Sequence, residues 1–223
     1  RPSSYNPTDA QITDEELTLF PSLRAQPVAD EAGAVRPGPV AAIQESTVTS
    51  ALPLPEAASP AQRLVRASAA LQNAEMREDI ADALMDFCAP YLRRRIMLVI
   101  RKDVIMGWCG GGDRVDPAAV RAISIPMAQP SVFMNIMQGQ SFWLGPLPPM
   151  PRNQDLVLAL GGEAPQQCLI LPVTLRDKTV CFLYGDNLQE GLGSAPVAEL
   201  RRLVAKAGLA FQVYILKSKI RTM

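Results

Sequence analysis

The sequence has no histidine among its 223 residues. This absence excludes catalytic triads and dyads that use imidazole, zinc sites with histidine ligands, and phosphohistidine relays. No apolar run approaches the roughly 18–20 residues that a membrane-spanning helix needs, and no signal sequence opens the chain. Lys plus Arg and Asp plus Glu both total 22, so no net charge favours nucleic acid or anionic lipid. We therefore expect a cytoplasmic protein that neither inserts into a membrane nor binds nucleic acid.

Cysteine is scarce and wrongly spaced for a metal site. The four cysteines are Cys88, Cys109, Cys168 and Cys181, and none forms a C-x-x-C pair, which argues against bound zinc. Three of them fall on apolar faces, as small core residues do. Cys109 lies between Trp108 and a run of glycines, where a thiol sensor or a catalytic thiol is an alternative. Because no other catalytic, metal or cofactor motif is present, the sequence predicts a protein that is not an enzyme and holds no cofactor.

The start of the chain is poor in aromatic residues, with Tyr5 and Phe20 the two in residues 1–60. This stretch holds nine of the 20 prolines, and its eight acidic and three basic residues give a net charge of −5. Such a composition buries too little apolar surface to offset the entropy of ordering the chain. We predict a disordered, Pro/Ala-rich acidic linker over 1–58 and a folded domain over 59–223. Since the chain begins with Arg1, we expect it to be part of a longer polypeptide.

Residues 12–23 differ from the rest of this linker. Thr13 to Glu16 have the spacing of a capping box, and the apolar residues Ile12, Leu17 and Phe20 lie beside them. One interpretation is a short docking motif for a partner or for the chain's own domain. The other is an accidental apolar cluster, because so short a helix does not persist alone.

From Ser59 onward the sequence predicts alternating helices and strands. Ser59, Pro60 and Gln62 form a helix-start signature, and apolar steps of three and four from Met76 to Tyr91 indicate a second helix. The further predicted elements are a hairpin over 95–108 that Gly110 to Gly112 end, strands at 123–127 and 141–145, helices at 131–139 and 153–160, a hairpin over 168–184 and a long helix over 196–220. This order predicts an α+β fold with a six-stranded antiparallel sheet and helices on its faces.

The run from Met76 to the end also carries a set of short motifs in a fixed order. They are Ile80-Ala81-Asp82-Ala83-Leu84, Gly107-Trp108, Pro130-Ser131-Val132-Phe133, Gly145-Pro146-Leu147-Pro148, Leu171-Pro172-Val173 and Tyr184-Gly185-Asp186-Asn187. With them the chain resembles a GAF-like sensory domain of the kind found in regulatory proteins of deltaproteobacteria. The resemblance implies a pocket between the sheet and the connecting segments, pairing through terminal helices, and regulation in bacterial signal transduction.

Large and polar residues near the connecting segments are candidates for lining that pocket. A buried tryptophan needs a partner for its N–H, and a few polar groups would orient a ligand. The candidates are Trp108, Arg114, Ser131, Phe133, Asn135, Trp143 and Leu147. Either they surround a small ligand, which makes the domain a sensor, or they fill the space themselves, which makes it an interaction platform. We favour the platform, because no polar constellation selects a ligand.

The predicted last helix has more apolar surface than a sheet needs. One apolar stripe with coiled-coil spacing runs from Val197 to Ser218. The residues beside it that we expect to form an interface are Leu209, Val213, Leu216 and Ile220. This second face predicts a homodimer or a contact with another protein, and the alternative is a helix fully buried in a monomer.

A basic run, Arg93-Arg94-Arg95, follows the end of the predicted second helix. Cations there complement the dipole of the helix's last carbonyl groups. We therefore interpret the run as a solvated helix end, and the alternative is a basic patch shared with Lys217, Lys219 and Arg221.

Overall fold

The computed structural model of this chain describes residues 58–221. Apart from Ala58, the predicted linker lies outside the described residues, and so do its candidate docking residues Ile12, Leu17 and Phe20. The helices of the described part are α1 (Pro60–Gln72), α2 (Arg77–Cys88), α3 (Pro117–Ala122), α4 (Val132–Met137), α5 (Pro151–Ala159) and α6 (Val197–Arg221). Its strands are β1 (Arg94–Arg101), β2 (Val104–Gly112), β3 (Ser124–Pro126), β4 (Trp143–Gly145), β5 (Cys168–Leu175) and β6 (Lys178–Asp186).

These six strands form one antiparallel sheet in the order β3-β2-β1-β6-β5-β4. The hairpins β1–β2 and β5–β6 make its centre, because β1 also pairs with β6. The short strands β3 and β4 lie at its two edges. The predicted α+β fold with a six-stranded antiparallel sheet is therefore confirmed.

Side chains alternate between the two faces of this sheet, as strand geometry requires. On β1, Met97 and Val99 belong to one apolar cluster, whereas Ile96 and Leu98 belong to another. The first cluster also contains the buried side chains of α1, α2 and α6, and the second contains those of α3, α4 and α5. Helices therefore cover both faces.

The first helix starts where its sequence signature predicts. The Ser59 hydroxyl accepts a hydrogen bond from the backbone N–H of Gln62 at 3.3 Å, and the Ser59 N–H donates to the Gln62 side-chain oxygen at 2.9 Å. Pro60 takes the first helical position, where its missing N–H costs nothing. This capping box fixes the start of α1.

The prediction that Gly110 to Gly112 end the second strand is wrong. Strand β2 continues to Gly112, and its last three residues, Gly110 to Gly112, pair with the first three residues of β1. Space explains their presence there. A Cβ atom on Gly110 would lie 2.7 Å from Ile96, and one on Gly112 would lie 1.8 Å from the Arg93 carbonyl oxygen. The glycines thus let the chain pack closely rather than break the strand.

Candidate interaction surface

One side of helix α6 packs on the sheet. Its buried residues are Leu200, Leu203, Val204, Ala207, Gly208, Phe211 and Ile215. Gly208 allows a close approach, since a Cβ atom there would lie 2.3 Å from the Thr174 carbonyl oxygen of β5. Phe211 lies near Trp108, with 6.2 Å between the ring centroids. Only one side of α6 is thus used in covering the sheet.

The opposite side of α6 carries the four apolar residues that the sequence nominates for an interface. Their exposed fractions are 64% for Leu209, 49% for Val213, 45% for Leu216 and 73% for Ile220. Steps of four, three and four residues align them along the helix. We call these four residues the α6 stripe. This side of α6 is therefore not buried in the monomer, which contradicts the alternative of a fully buried helix.

A groove runs between α1 and α6, next to the α6 stripe. Its volume is about 360 Å³, and it is lined by Ser68, Leu71, Gln72, Ala74, Lys206, Leu209, Ala210 and Val213. The Lys206 ammonium donates a hydrogen bond to the Ser68 hydroxyl at 2.8 Å. Leu209 and Val213 belong to both the groove and the stripe, so the two features form one continuous apolar surface.

The two helices that border this groove have a strongly positive net charge. Helices α1 and α6 together carry eight basic side chains and one acidic side chain, Glu199, for a net charge of +7. The rest of residues 58–221 carries eleven basic and thirteen acidic residues, for a net charge of −2. The basic excess of the described residues is thus concentrated on the helices that border the groove.

The structure does not bring the predicted pocket residues together as one group. Trp108 packs in the cluster between the sheet and α6. Phe133 is fully buried in the cluster on the other face, where Trp143 and Leu147 are partly buried. Because the sheet separates Trp108 from the other three, they cannot line one cavity.

Two of the three polar pocket candidates have structural partners. The buried Ser131 caps α4 by accepting a hydrogen bond from the Met134 N–H at 3.4 Å. Arg114 is exposed and forms an ion pair with Glu163 at 3.1 Å. Asn135 is half-buried on α4. None of the predicted pocket residues lines the α1–α6 groove or the groove between α1 and α2.

A buried ion pair joins the start of β1 to the end of β6. The side chains of Arg94 and Asp186 are both 0% exposed, and the Arg94 Nε lies 2.8 Å from an Asp186 carboxylate oxygen. The guanidinium also donates to the carbonyl oxygens of Leu160 at 2.7 Å and Glu163 at 3.1 Å. The Tyr184 hydroxyl donates to the carboxylate at 2.5 Å. The pair therefore holds the segment after α5 against the sheet.

This ion pair corrects the interpretation of Arg93-Arg94-Arg95 as a solvated helix end. Arg93 is exposed and pairs with Asp113 and Glu190, but Arg94 points into the protein. Strand alternation could have found it, because Arg94 lies two residues before the inward-facing Ile96. The prediction missed it because it started the strand at Arg95.

The cysteines are all free and poorly suited to chemistry. Burial raises the pKa of Cys88 and Cys168 to about 12, and it raises that of Cys181 further still. Burial also raises the pKa of Cys109 to about 12, with a smaller contribution from the Asp82 carboxylate. Within residues 58–221, no three His, Cys, Asp or Glu side chains group as a metal site would need. In the same range, no helix is long and apolar enough to cross a membrane.

The arrangement of helices and sheet is similar to that of solved GAF domains. A phycocyanobilin-bound GAF domain from a cyanobacterial phytochrome has a TM-score of 0.56 at 13% identity, over 73% of this chain and 98% of that one. The GAF domain of an Acinetobacter phosphoenolpyruvate-protein phosphotransferase has a TM-score of 0.52 at 15% identity, over 67% and 90%. Free methionine-R-sulfoxide reductase from Neisseria meningitidis, in complex with its substrate, has a TM-score of 0.52 at 12% identity, over 75% and 98%.

No family model matches the chain, and no curated protein matches it. The likeness to solved structures shows a GAF-like fold, as the sequence motifs predict. It does not support the narrower expectation of a deltaproteobacterial branch. The GAF-like fold is typical of sensory and regulatory modules in signalling, although one of the similar structures is an enzyme.

Proposed function

We propose that this domain is a non-catalytic regulatory module that works through protein–protein contact at the α6 stripe, either with a second copy of itself or with another protein. The observation that carries the proposal is the exposure of Leu209, Val213, Leu216 and Ile220 on the side of α6 that faces away from the sheet. Exposed apolar residues are ordinary when scattered, but an aligned series on one helix side indicates a contact surface.

Burying the α6 stripe against another helix would contribute free energy to association. Fully burying one large aliphatic side chain stabilises by about 1.5–3 kcal/mol. The four stripe residues still expose 45–73% of their surface, so burying them can offset part of the cost of association. Helix α1 packs beside α6, and its Val65 is 70% exposed. Two copies would contribute α1 and α6 each, which is the number of helices in a four-helix bundle.

The state of the reactive groups supports a role without catalysis. At a pKa of about 12, the Cys109 thiol is almost wholly protonated at neutral pH and therefore a poor nucleophile. Arg94, Asp186 and Tyr184 are 0% exposed and bonded to one another. These charged and polar groups bond within the protein, and their side chains are not accessible to a substrate.

A small-ligand sensor is the second candidate. The observation that favours it is the volume of the α1–α6 groove, about 360 Å³, which is within the range of roughly 300–1,000 Å³ for small-molecule pockets. Native mass spectrometry of the protein purified from its own host separates the two candidates. A retained small molecule supports the sensor, and a retained protein chain supports the contact surface.

Replacing Leu216 and Ile220 by glutamate tests the proposal without touching the core. Light scattering should report a dimer or larger assembly for the unmodified protein and a monomer for the double variant. The circular-dichroism spectrum should be the same for both, because neither residue is buried.

The matched control is Lys219→Glu, which also changes the charge by two units. Lys219 lies at the same end of α6, about 100° around the helix from Ile220. We expect the control to keep the assembly state of the unmodified protein. An unmodified chain that stays monomeric at high micromolar concentration and retains no protein partner would refute the proposal.

A further inference from the structure

The α1–α6 groove combines an apolar floor with a cationic rim. Leu71, Leu209 and Val213 supply apolar surface, and Lys206 lies beside them. Within residues 58–221, no ion pair with a carboxylate involves Lys206, whose ammonium bonds to the Ser68 hydroxyl. With a net charge of +7 on α1 and α6, the groove suits an occupant that is both acidic and apolar.

The same chain contains a segment of that chemistry. Residues 12–23 carry three carboxylates, Asp14 to Glu16, and no basic residue. They also carry five large apolar side chains, which are Ile12, Leu17, Leu19, Phe20 and Leu23. Residues 1–57 as a whole have a net charge of −5, opposite in sign to the two helices. The acids and apolar residues of 12–23 thus complement the rim and the floor of the groove.

The tether between segment and groove has ample length. Residues 24–57 number 34 and can span up to about 110 Å when fully extended. The described chain begins beside Ser59, and the groove starts at Ser68, roughly 13 Å further along α1. A tether of this kind gives the segment a local concentration of about millimolar order, so even weak contacts would be occupied.

We propose that residues 12–23 dock in the α1–α6 groove of their own chain, with apolar side chains against Leu71, Leu209 and Val213 and carboxylates beside Lys206. Docking covers Leu209 and Val213, which are half of the α6 stripe. The segment therefore competes with whatever protein binds the stripe and regulates that contact. This regulatory part rests on the proposed function, whereas the docking itself does not.

Carbodiimide cross-linking of the full chain tests the docking directly, because it joins a carboxylate to a lysine only where the two are in contact. Mass spectrometry should find Lys206 linked to Glu15 or Glu16 in preference to Glu45 or Glu56. Mixing isotopically labelled and unlabelled protein separates links within one chain from links between chains. Lys206 links spread evenly over all these acids, or formed mainly between chains, would overturn the proposal.

Two variants of the full chain give the expected size of the effect. Leu17→Asp with Phe20→Asp should lower the yield of the Lys206 link roughly tenfold or more, as expected for losing the burial of two large side chains. The matched control, Leu52→Asp with Leu54→Asp, makes the same change elsewhere before α1 and should leave the yield unchanged. An equal loss in the two variants would contradict a specific docking segment.

Exchanging the charges of the two partners distinguishes a lost contact from a folding defect, because a folding defect would not be reversed by the second change. Lys206→Glu should weaken protection of the groove, measured at low protein concentration by side-chain oxidation of the exposed lining residues Leu209 and Val213, and adding Glu15→Lys and Glu16→Lys should restore it. Failure of this rescue would count against the docking.

Light scattering of the Leu17→Asp, Phe20→Asp variant then tests the regulation, since release of the stripe should raise the assembled fraction. If the docking fails, the stripe remains testable by its own variants.

Discussion

The buried ion pair between Arg94 and Asp186 allows a quantitative test of what holds the two central hairpins together. Replacing Arg94 by methionine keeps most of the side-chain length but removes the cation. The Asp186 carboxylate then stays 0% exposed, with the Tyr184 hydroxyl and the Leu188 N–H as its hydrogen-bond donors. The carbonyl oxygens of Leu160 and Glu163 also lose their donor.

An uncompensated buried charge of this kind costs about 3–5 kcal/mol of unfolding free energy. That is a large part of the roughly 5–15 kcal/mol that stabilises a typical domain. With a urea m-value of about 2 kcal/mol/M, the unfolding midpoint should fall by about 1.5–2.5 M. The segment after α5 should also loosen, because its Leu160 and Glu163 carbonyl oxygens lose their hydrogen bonds to Arg94.

Urea unfolding followed by circular dichroism measures this change, and a mutant cycle isolates the pair. Asp186→Asn alone should cost a similar amount, and the double variant should cost at least about 2 kcal/mol less than the sum of the two. Arg93→Met is the control, since its ion pairs with Asp113 and Glu190 are exposed and its effect should be small. Equal effects of Arg93→Met and Arg94→Met, or strict additivity in the cycle, would refute the reasoning.

Three further outcomes follow from the packing and the thiols. Gly208→Ala should destabilise the domain by about 1–3 kcal/mol in thermal unfolding, because the new Cβ atom would meet the Thr174 carbonyl oxygen. This effect should outweigh the higher helix propensity of alanine, and a raised melting temperature would contradict it. Cys109 should react with iodoacetamide at pH 7.5 about 10³-fold more slowly than an unperturbed thiol, whose pKa is about 8.5, and a rate near that of glutathione would contradict the burial. Burial raises the pKa of the thiols and of Tyr184 in the folded state. Their contribution to stability is therefore complete below about pH 8.5 and is lost as the pH rises toward 12. Urea midpoints that stay constant from pH 8 to 11 would disprove this pH dependence.

The element order was predictable because its signals are local. The capping box at Ser59, the apolar steps of α2 and α6 and the two hairpins each depend on residues close in sequence. The Gly110 to Gly112 run was misread because glycine both ends strands and permits close packing. Which of these applies depends on the Arg93 carbonyl oxygen and the Ile96 side chain, which neighbour the glycines only in the folded sheet.

The candidate site was predictable in part. The exposure of the α6 stripe follows from helical periodicity once one side of α6 covers the sheet. The pocket set failed to form one group because neighbours in sequence do not reveal which face of the sheet a side chain takes, and Trp108 lies opposite Phe133. The Arg94–Asp186 pair joins residues 92 positions apart, and the α1–α6 groove joins helices from the two ends of the domain. Contacts between residues so far apart in the chain produce no local pattern in the sequence.

Hydroxyl-radical footprinting of the full chain over a range of concentrations tests the central claim most directly. Leu216 and Ile220 are the informative residues, because they lie on the α6 stripe outside the groove. Leu158, which is 70% exposed on α5, serves as the internal control. The account predicts that oxidation of Leu216 and Ile220 falls as the protein is concentrated, or as its partner is added, while that of Leu158 stays constant. Oxidation of all three that is unchanged under every such condition would contradict the claim that the α6 stripe is a contact surface.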